Sequence, residues 1–221
     1  MELLYTAHVP AGDGPFPTII ALHGWGASAH DLLGLAPILG RGRSLVLCPQ
    51  GPLAFEAGPG AVGYGWFPLA RGGPTDPAEV RKGVDVLERF VEQVLAAHPV
   101  NRRKVALLGF SQGGVMAYAL ALRNPAAYAG LIALSSWLPD AMVASIPANP
   151  ELANLQTLVV HGTRDSMIEI ELARESRDAL AKLGVPTRYR EYAMGHEISP
   201  EALRELVSWL DERVMNPIRL A

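Results

Sequence analysis

The stretch LLGFSQGGVMAYAL, residues 107–120, changes character at a single serine. Residues 104–109 form a short apolar run typical of a buried strand, and residues 112–123 follow a helical pattern. Ser111 lies between them in the pattern G-x-S-x-G, which exposes a serine on a sharp strand-to-helix turn. The pattern alone is weak evidence, because a chain this rich in glycine matches it by chance about once in ten sequences. Its setting between a strand and a helix favours a nucleophile over a buried serine that only caps the helix.

Similar apolar runs alternate with helical patterns along the whole chain. Predicted strands cover residues 18–22, 44–48, 104–109, 130–134, 157–160 and 186–192, with an antiparallel opening strand at 3–9, and predicted helices cover residues 30–39, 77–97, 112–123, 169–183 and 200–214. This alternation predicts an α/β fold with a mostly parallel central sheet and helices on both faces. Because no repeat or interdomain linker is visible, we interpret residues 1–221 as a single domain.

The composition excludes several classes of function. The chain has 221 residues, a formal net charge of -3 and no block of lysine and arginine, so it lacks the positive patch of a nucleic-acid-binding protein. No apolar stretch approaches the roughly 18–20 residues that span a bilayer, and no secretory leader is visible. We therefore expect a cytoplasmic protein without stable membrane insertion. Cys48 is the only cysteine, which excludes an intrachain disulfide and a thiolate metal cluster.

One connection is unusually long. Residues 51–76 are rich in glycine and proline, and segments of this length are usually functional or disordered. The aromatic residues Phe55, Tyr64, Trp66 and Phe67 predict a packed loop.

A serine nucleophile requires a general base and a carboxylate that orients the base. His196 is the best base among six histidines, because it follows the last predicted strand and precedes the last helix. His23 and His161 each follow a strand and precede a glycine, where histidines commonly hold a loop by hydrogen bonds. Asp165 is the preferred acid and Asp140 the alternative, since both follow strands whose carboxyl ends meet at the edge where such folds bind ligands.

The order Ser111, Asp165, His196 is the one expected of α/β-hydrolases. Such a site also needs hydrogen-bond donors for the oxyanion that forms on the substrate. The backbone amide of Trp25, in a glycine-rich loop after a strand, is one candidate. The amide of Gln112, at a helix N-terminus, is the other.

Five segments carry a resemblance to a known family: LHGWG (22–26), GFSQGG (109–114), NPAAYAGLIALSSWLP (124–139), HGTRDSMI (161–168) and MGHEIS (194–199). With them the chain resembles the phospholipase/carboxylesterase family of α/β-hydrolases, which includes acyl-protein thioesterases and small bacterial carboxylesterases. The resemblance implies the same triad of Ser111, Asp165 and His196, the amides of Trp25 and Gln112 as oxyanion donors, no metal or cofactor, and no separate lid domain. Thioesterases of the family carry Trp-Phe-Asp in the long loop, whereas this chain has proline after Trp66-Phe67. A carboxylesterase that acts on small-molecule esters is therefore favoured over an acyl-protein thioesterase, with thioesters, lysophospholipids and homodimer formation left open.

Large apolar side chains lie on or beside the predicted active edge. We expect some of them to line an apolar acyl pocket, and the alternative is that they only pack the loops onto the core. These residues are Trp25, Tyr64, Trp66, Phe67, Trp137, Leu138, Met167 and Met194. Two other functions fit the sequence less well. A non-catalytic binding protein on this scaffold would have little need of the complete catalytic set, and a dienelactone-hydrolase-like enzyme calls for cysteine where Ser111 stands. No metal-ligand spacing such as His-Glu-x-x-His occurs.

Overall fold

The apolar runs form a seven-stranded sheet in the computed structural model, which describes residues 3–69 and 76–216. The strands of the chain are β1 (Tyr5–His8), β2 (Phe16–Leu22), β3 (Leu45–Pro49), β4 (Leu53–Gly58), β5 (Ala61–Gly65), β6 (Val100–Phe110), β7 (Gly130–Leu134), β8 (Gln156–Gly162) and β9 (Thr187–Tyr192). The large sheet has the order β1-β3-β2-β6-β7-β8-β9, and β4 pairs with β5 in a separate antiparallel ribbon. Only β1 runs antiparallel in the large sheet, so the predicted mostly parallel sheet with its antiparallel opening strand is confirmed.

Helices cover both faces of the sheet, as predicted. They are α1 (Pro77–Ala97), α2 (Gln112–Arg123), α3 (Asp140–Val143), α4 (Ile170–Lys182) and α5 (Pro200–Leu210). Neighbouring residues of one strand point to opposite faces, which divides the core into two clusters. Ile20 and Leu22 pack in the cluster beneath α1 and α2, whereas Ile19 and Ala21 pack in the cluster beneath α5.

Local chemistry explains where α1 begins and ends. The carboxylate of Asp76 accepts a hydrogen bond of 2.8 Å from the amide of Ala78, and Pro77 occupies the first helical position, where its missing N–H does no harm. Pro99 follows directly after the C-cap, His98, and cannot continue the helix. No helix within residues 3–69 and 76–216 is long and apolar enough to cross a bilayer.

Three sequence predictions need correction. The predicted helix 30–39 is replaced by two short 3-10 turns, Leu33–Leu35 and Leu39–Gly42, the second of which begins at the end of that range. Gly34 and Pro37 interrupt the helical pattern. The predicted helix 200–214 ends as an α-helix at Leu210 and continues as a π-helical turn, Asp211–Met215. Residues 51–76 contain the β4–β5 ribbon where a packed loop was predicted, and residues 70–75 of that stretch lie outside the described part of the chain.

Candidate active site

Ser111 occupies a strained turn between β6 and α2. Its backbone has φ 53° and ψ -120°, a conformation that costs a residue other than glycine about 1–3 kcal/mol. Three hydrogen bonds hold this conformation. The amide of Ser111 donates to the carbonyl of Leu134 at 2.9 Å, and the carbonyl of Ser111 accepts from the hydroxyl of Ser136 at 2.7 Å and from the amide of Gly114 at 2.9 Å. The turn also requires Gly113, because a Cβ there would lie 2.0 Å from the carbonyl oxygen of Leu22. The strand-turn-helix setting predicted for this serine is confirmed.

Asp165 follows β8 and is held by three hydrogen bonds. Its Oδ1 accepts from the amides of Met167 and Ile168 at 2.9 and 3.0 Å, and its Oδ2 lies 2.7 Å from Nδ1 of His196. Burial by itself would raise the pKa of this carboxyl. The hydrogen bonds from Ile168, His196 and Met167 outweigh burial and lower the pKa below its usual value. Asp165 is therefore an anion at neutral pH.

The contact with Asp165 fixes the tautomer of His196. An ionised carboxylate can only accept a hydrogen bond, so Nδ1 carries a proton, and in the neutral imidazole the lone pair that a general base needs lies on Nε2. The imidazole packs against the ring of Phe110 with centroids 4.9 Å apart. It thus lies beside the residue that precedes Ser111 in the chain.

His196 and Ser111 line the same cavity, which has a volume of about 380 Å³. The hydroxyl of Ser111 makes no hydrogen bond to any residue that the structure describes. In hydrolases the bond between nucleophile and base often tightens only when substrate binds. The wall of the cavity is mostly apolar, and its residues are Gly24, Trp25, Ala27, Asp31, Leu69, Phe110, Ser111, Gln112, Trp137, Met167, Ile168 and His196.

The two amides predicted to bind the oxyanion belong to residues in this wall, Trp25 and Gln112. Within the described ranges neither amide donates to another backbone carbonyl or to a side chain, so both N–H groups are available to a ligand. Gln112 is the first residue of α2, where the helix dipole also favours a negative charge. Both amides therefore belong to residues that share one cavity with Ser111.

The structure brings only part of the predicted acyl pocket into the cavity. Trp137 and Met167 line it, and Met167 is 72% exposed. Trp25 lines it as well, whereas four of the other predicted side chains are buried in the core: Trp66, Phe67, Leu138 and Met194. The indole of Trp66 donates to the carbonyl of His23 at 2.8 Å, an interior acceptor that satisfies its N–H.

Tyr64 also lies outside the cavity wall, on β5, where its backbone bonds to residues 26 and 27. Leu69, Phe110 and Ile168 are in the wall, and sequence reasoning did not single them out. Ile168 follows Met167 directly in the HGTRDSMI segment, so its position beside Asp165 was the one available signal. Leu69 lies on an irregular segment that gives no such signal.

The remaining candidates have structural places. His23 accepts a hydrogen bond of 2.9 Å from the amide of Gly51 through Nε2, and His161 lies 2.9 Å from the carbonyl of Ile168, so both hold loops as predicted. His161 also lies 3.5 Å from Oδ2 of Asp165. Asp140, the alternative acid, is exposed at the start of α3.

Comparisons with known proteins give a consistent result. Residues 6–213 match the profile of the family described as Phospholipase/Carboxylesterase. The carboxylesterase SOBER1 of Arabidopsis thaliana is 30% identical over 163 residues, which cover 70% of each chain. The acyl-protein thioesterase 1 of Mycosarcoma maydis is 26% identical, with 91% of this chain and 93% of the relative aligned. For a further Arabidopsis thaliana relative, a probable SOBER1-like carboxylesterase, the alignment with this chain covers only 62% of the relative's length. The crystal structure of esterase PE8 superposes with a TM-score of 0.82 and 25% identity, over 96% of this chain and 100% of the other.

Proposed function

The chain belongs to the phospholipase/carboxylesterase family, and on this basis we propose that it is a serine carboxylesterase that forms an acyl-enzyme on Ser111. The observation that carries the proposal is the 2.7 Å contact between Nδ1 of His196 and Asp165, in an imidazole that lines the same cavity as Ser111. The amides of Trp25 and Gln112, two residues of the cavity wall, support it further, because neither donates to another described residue. A single domain over residues 1–221, a cytoplasmic location and a small-molecule ester as partner are part of the proposal.

The reaction follows from the positions of these groups. Nε2 of His196 accepts the proton of Ser111 as the serine oxygen attacks the ester carbonyl, and the carbonyl oxygen becomes an anion at the two amides. The tetrahedral intermediate collapses, the bond to the alcohol breaks, and the imidazolium returns the proton to the leaving oxygen. Water then attacks the acyl-enzyme in the same way and releases the carboxylic acid. Asp165 stays ionised and stabilises the imidazolium in both halves of the reaction.

The cavity wall supports an apolar acyl group. Leu69, Trp137 and Met167 contribute apolar surface, and ligand sites of this kind bind mainly through such surface with few polar groups. The sequence similarity to an acyl-protein thioesterase supports thioesters as a second substrate class. A panel of p-nitrophenyl esters and matched acyl thioesters of graded chain length measures both preferences, and a preference for very short polar acyl groups would contradict the pocket.

Replacement of the nucleophile tests the proposal most directly. We expect Ser111→Ala to lower kcat on p-nitrophenyl butyrate by a factor on the order of 10⁶, as loss of the nucleophile does in other serine hydrolases. A fluorophosphonate probe should label the unaltered protein on Ser111 and leave the variant unlabelled. Ser145→Ala, which removes an exposed hydroxyl bonded to Met142, is the control and should keep both activity and labelling. Turnover retained by a folded Ser111→Ala protein refutes the assignment.

A further inference from the structure

The β4–β5 ribbon takes no part in the proposed reaction, yet it is bound to the loop that carries Trp25. The amide of Gly26 donates to the carbonyl of Tyr64 at 2.9 Å, and the amide of Tyr64 donates to the carbonyl of Ala27 at 3.1 Å. These two bonds make residues 26 and 27 a short extension of the ribbon. The backbone on the C-terminal side of Trp25 therefore follows any movement of β5.

The side chain of Trp25 is held by the same ribbon. Its indole stacks on the ring of Phe55 in β4, with centroids 4.2 Å apart and planes inclined by 15°. It also lies directly against Gly65 at the end of β5, where a Cβ would come within 2.3 Å of the indole Cε3. Only a residue without a side chain allows this approach. The backbone and the indole of the residue that provides the first amide are thus both positioned by one ribbon.

The second amide belongs to Gln112, whose buried side chain reaches the segment directly after the ribbon. Its Oε1 accepts from the amide of Trp66 at 2.8 Å, and its Nε2 donates to the carbonyl of Phe67 at 2.7 Å. The same Cβ at Gly65 would lie 3.2 Å from that Oε1. A side chain at position 65 would therefore meet both donor-bearing residues.

We propose that the β4–β5 ribbon, with Trp66 and Phe67, positions both oxyanion donors, and that Gly65 is the positioning residue that sets the distance between them. The inference rests on the proposed function. Donors stabilise a transition state only when they lie about 2.7–3.1 Å from the forming oxyanion, so a small displacement of either amide lowers the rate while the ground state binds almost unchanged. A side chain at position 65 would displace the indole of Trp25 and crowd the amide group of Gln112.

The chain offers a matched pair of variants on this ribbon, Gly65→Ala and Gly58→Ala. Neither glycine has a positive φ, and a Cβ at Gly58 would meet nothing within 4 Å. For Gly65→Ala we expect kcat and kcat/KM on p-nitrophenyl butyrate to fall together by at least tenfold, and at most by the roughly 10²–10³-fold that loss of one donor costs. Gly58→Ala should keep the kinetics of the unaltered protein.

A trifluoromethyl ketone separates positioning from a general structural role. Ser111 adds to this inhibitor to give a hemiketal whose oxygen anion occupies the site of the two amides. We expect its inhibition constant to rise for Gly65→Ala by about the factor lost in kcat/KM, with KM changed little. Phe55→Ala, which removes the stacking partner of Trp25, should shift the same constants in the same direction, with Val62→Ala as its control because Val62 is 61% exposed on the same ribbon. This second pair tests the inference even where Gly65→Ala fails to fold.

The inference is wrong if Gly65→Ala and Phe55→Ala fold and keep full kcat, or if their loss is confined to KM and the inhibitor binds as before. Turnover and fluorophosphonate labelling of the unaltered protein are measured alongside. Absence of both would refute the proposed function itself. If the unaltered protein is active and the ribbon variants keep its kinetics, only the role of the ribbon is refuted.

Discussion

Asp165 accepts three hydrogen bonds, two of them from backbone amides of its own loop. These amides hold the carboxylate in place independently of His196. The sequence indicated this residue through its position after a strand and ahead of a helix. The hydrogen bonds from the amides of Met167 and Ile168 to Oδ1 depend on loop dihedral angles that no local pattern specified.

The lowered pKa of Asp165 predicts how stability depends on pH. A carboxyl group whose pKa is lower in the folded than in the unfolded chain stabilises the fold fully above its unfolded pKa, about 3.9, and loses that contribution as pH falls through the folded value. Asp165→Asn cannot ionise, so its deficit in unfolding free energy relative to the unaltered protein should be constant near neutral pH and shrink below about pH 4. Urea denaturation between pH 7 and pH 3 measures this difference, and a deficit of equal size at every pH would contradict it.

The same substitution should lower kcat on the order of 10⁴-fold, because the asparagine amide favours the wrong tautomer of His196. Asp140→Asn removes the same charge from an exposed position and should stay active.

Among the elements, the helices with clear start and stop signals were predicted closely. Asp76-Pro77 and Pro99 frame α1, and the predicted bounds 77–97 are the observed ones. The β4–β5 ribbon was missed because its glycines dilute the alternation by which a strand is recognised. Its role beside Trp25 and Gln112 depends on contacts between residues more than 28 positions apart, such as the bond of Gln112 to the amide of Trp66 across 46 residues. Such contacts follow from the packing of the whole chain.

The junction between β2 and the segment after β3 should be sensitive to acid. His23 accepts from Gly51 through Nε2, and burial, partly offset by the carbonyl of Gly24 and the charge of Asp31, lowers the pKa of its imidazole. The unfolded chain then takes up a proton at this residue near pH 6.5, before the folded chain does, so stability should decrease as pH falls from about 7 to the lowered value.

In His23→Gln this contribution is absent, and the slope of unfolding free energy against pH over that range should be smaller by at most one proton, about 1.4 kcal/mol per pH unit. Chemical denaturation at closely spaced pH values measures both slopes. Equal slopes for the two proteins would show that His23 does not titrate differently on folding.

At the scale of the whole molecule, the core isolates the only thiol of the chain from the chemistry of the cavity. Cys48 is 2% exposed in the sheet, and burial raises its pKa to about 12. At pH 8 the folded protein should react with iodoacetamide on the order of 10³-fold more slowly than the urea-unfolded chain, since the thiolate is the reactive form. Prolonged treatment should leave esterase activity intact while a fluorophosphonate abolishes it. Similar alkylation rates for the folded and unfolded chains would contradict this.

The fold class, the family and the strand-turn-helix setting of Ser111 could be predicted because each depends on local patterns or on short motifs in a fixed order. The rest of the cavity wall could not be predicted, and neither could the division of the large apolar side chains between wall and core. Trp66 and Trp137 both follow strands, yet Trp66 is buried in the interior and Trp137 lines the cavity. The space left between loops from distant parts of the chain decides which of the two places each side chain takes.

The strand order distributes the proposed reactive groups unequally. Ser111 follows β6 in the middle of the sheet, whereas His196 follows β9 at the margin, where β9 pairs with β8 and with no other strand of the described residues. A marginal strand can fray while the interior stays assembled. Such fraying would withdraw the base from an otherwise native molecule. Esterase activity therefore reports whether the margin of the sheet is intact, whereas optical signals from the interior report only on the middle of the sheet.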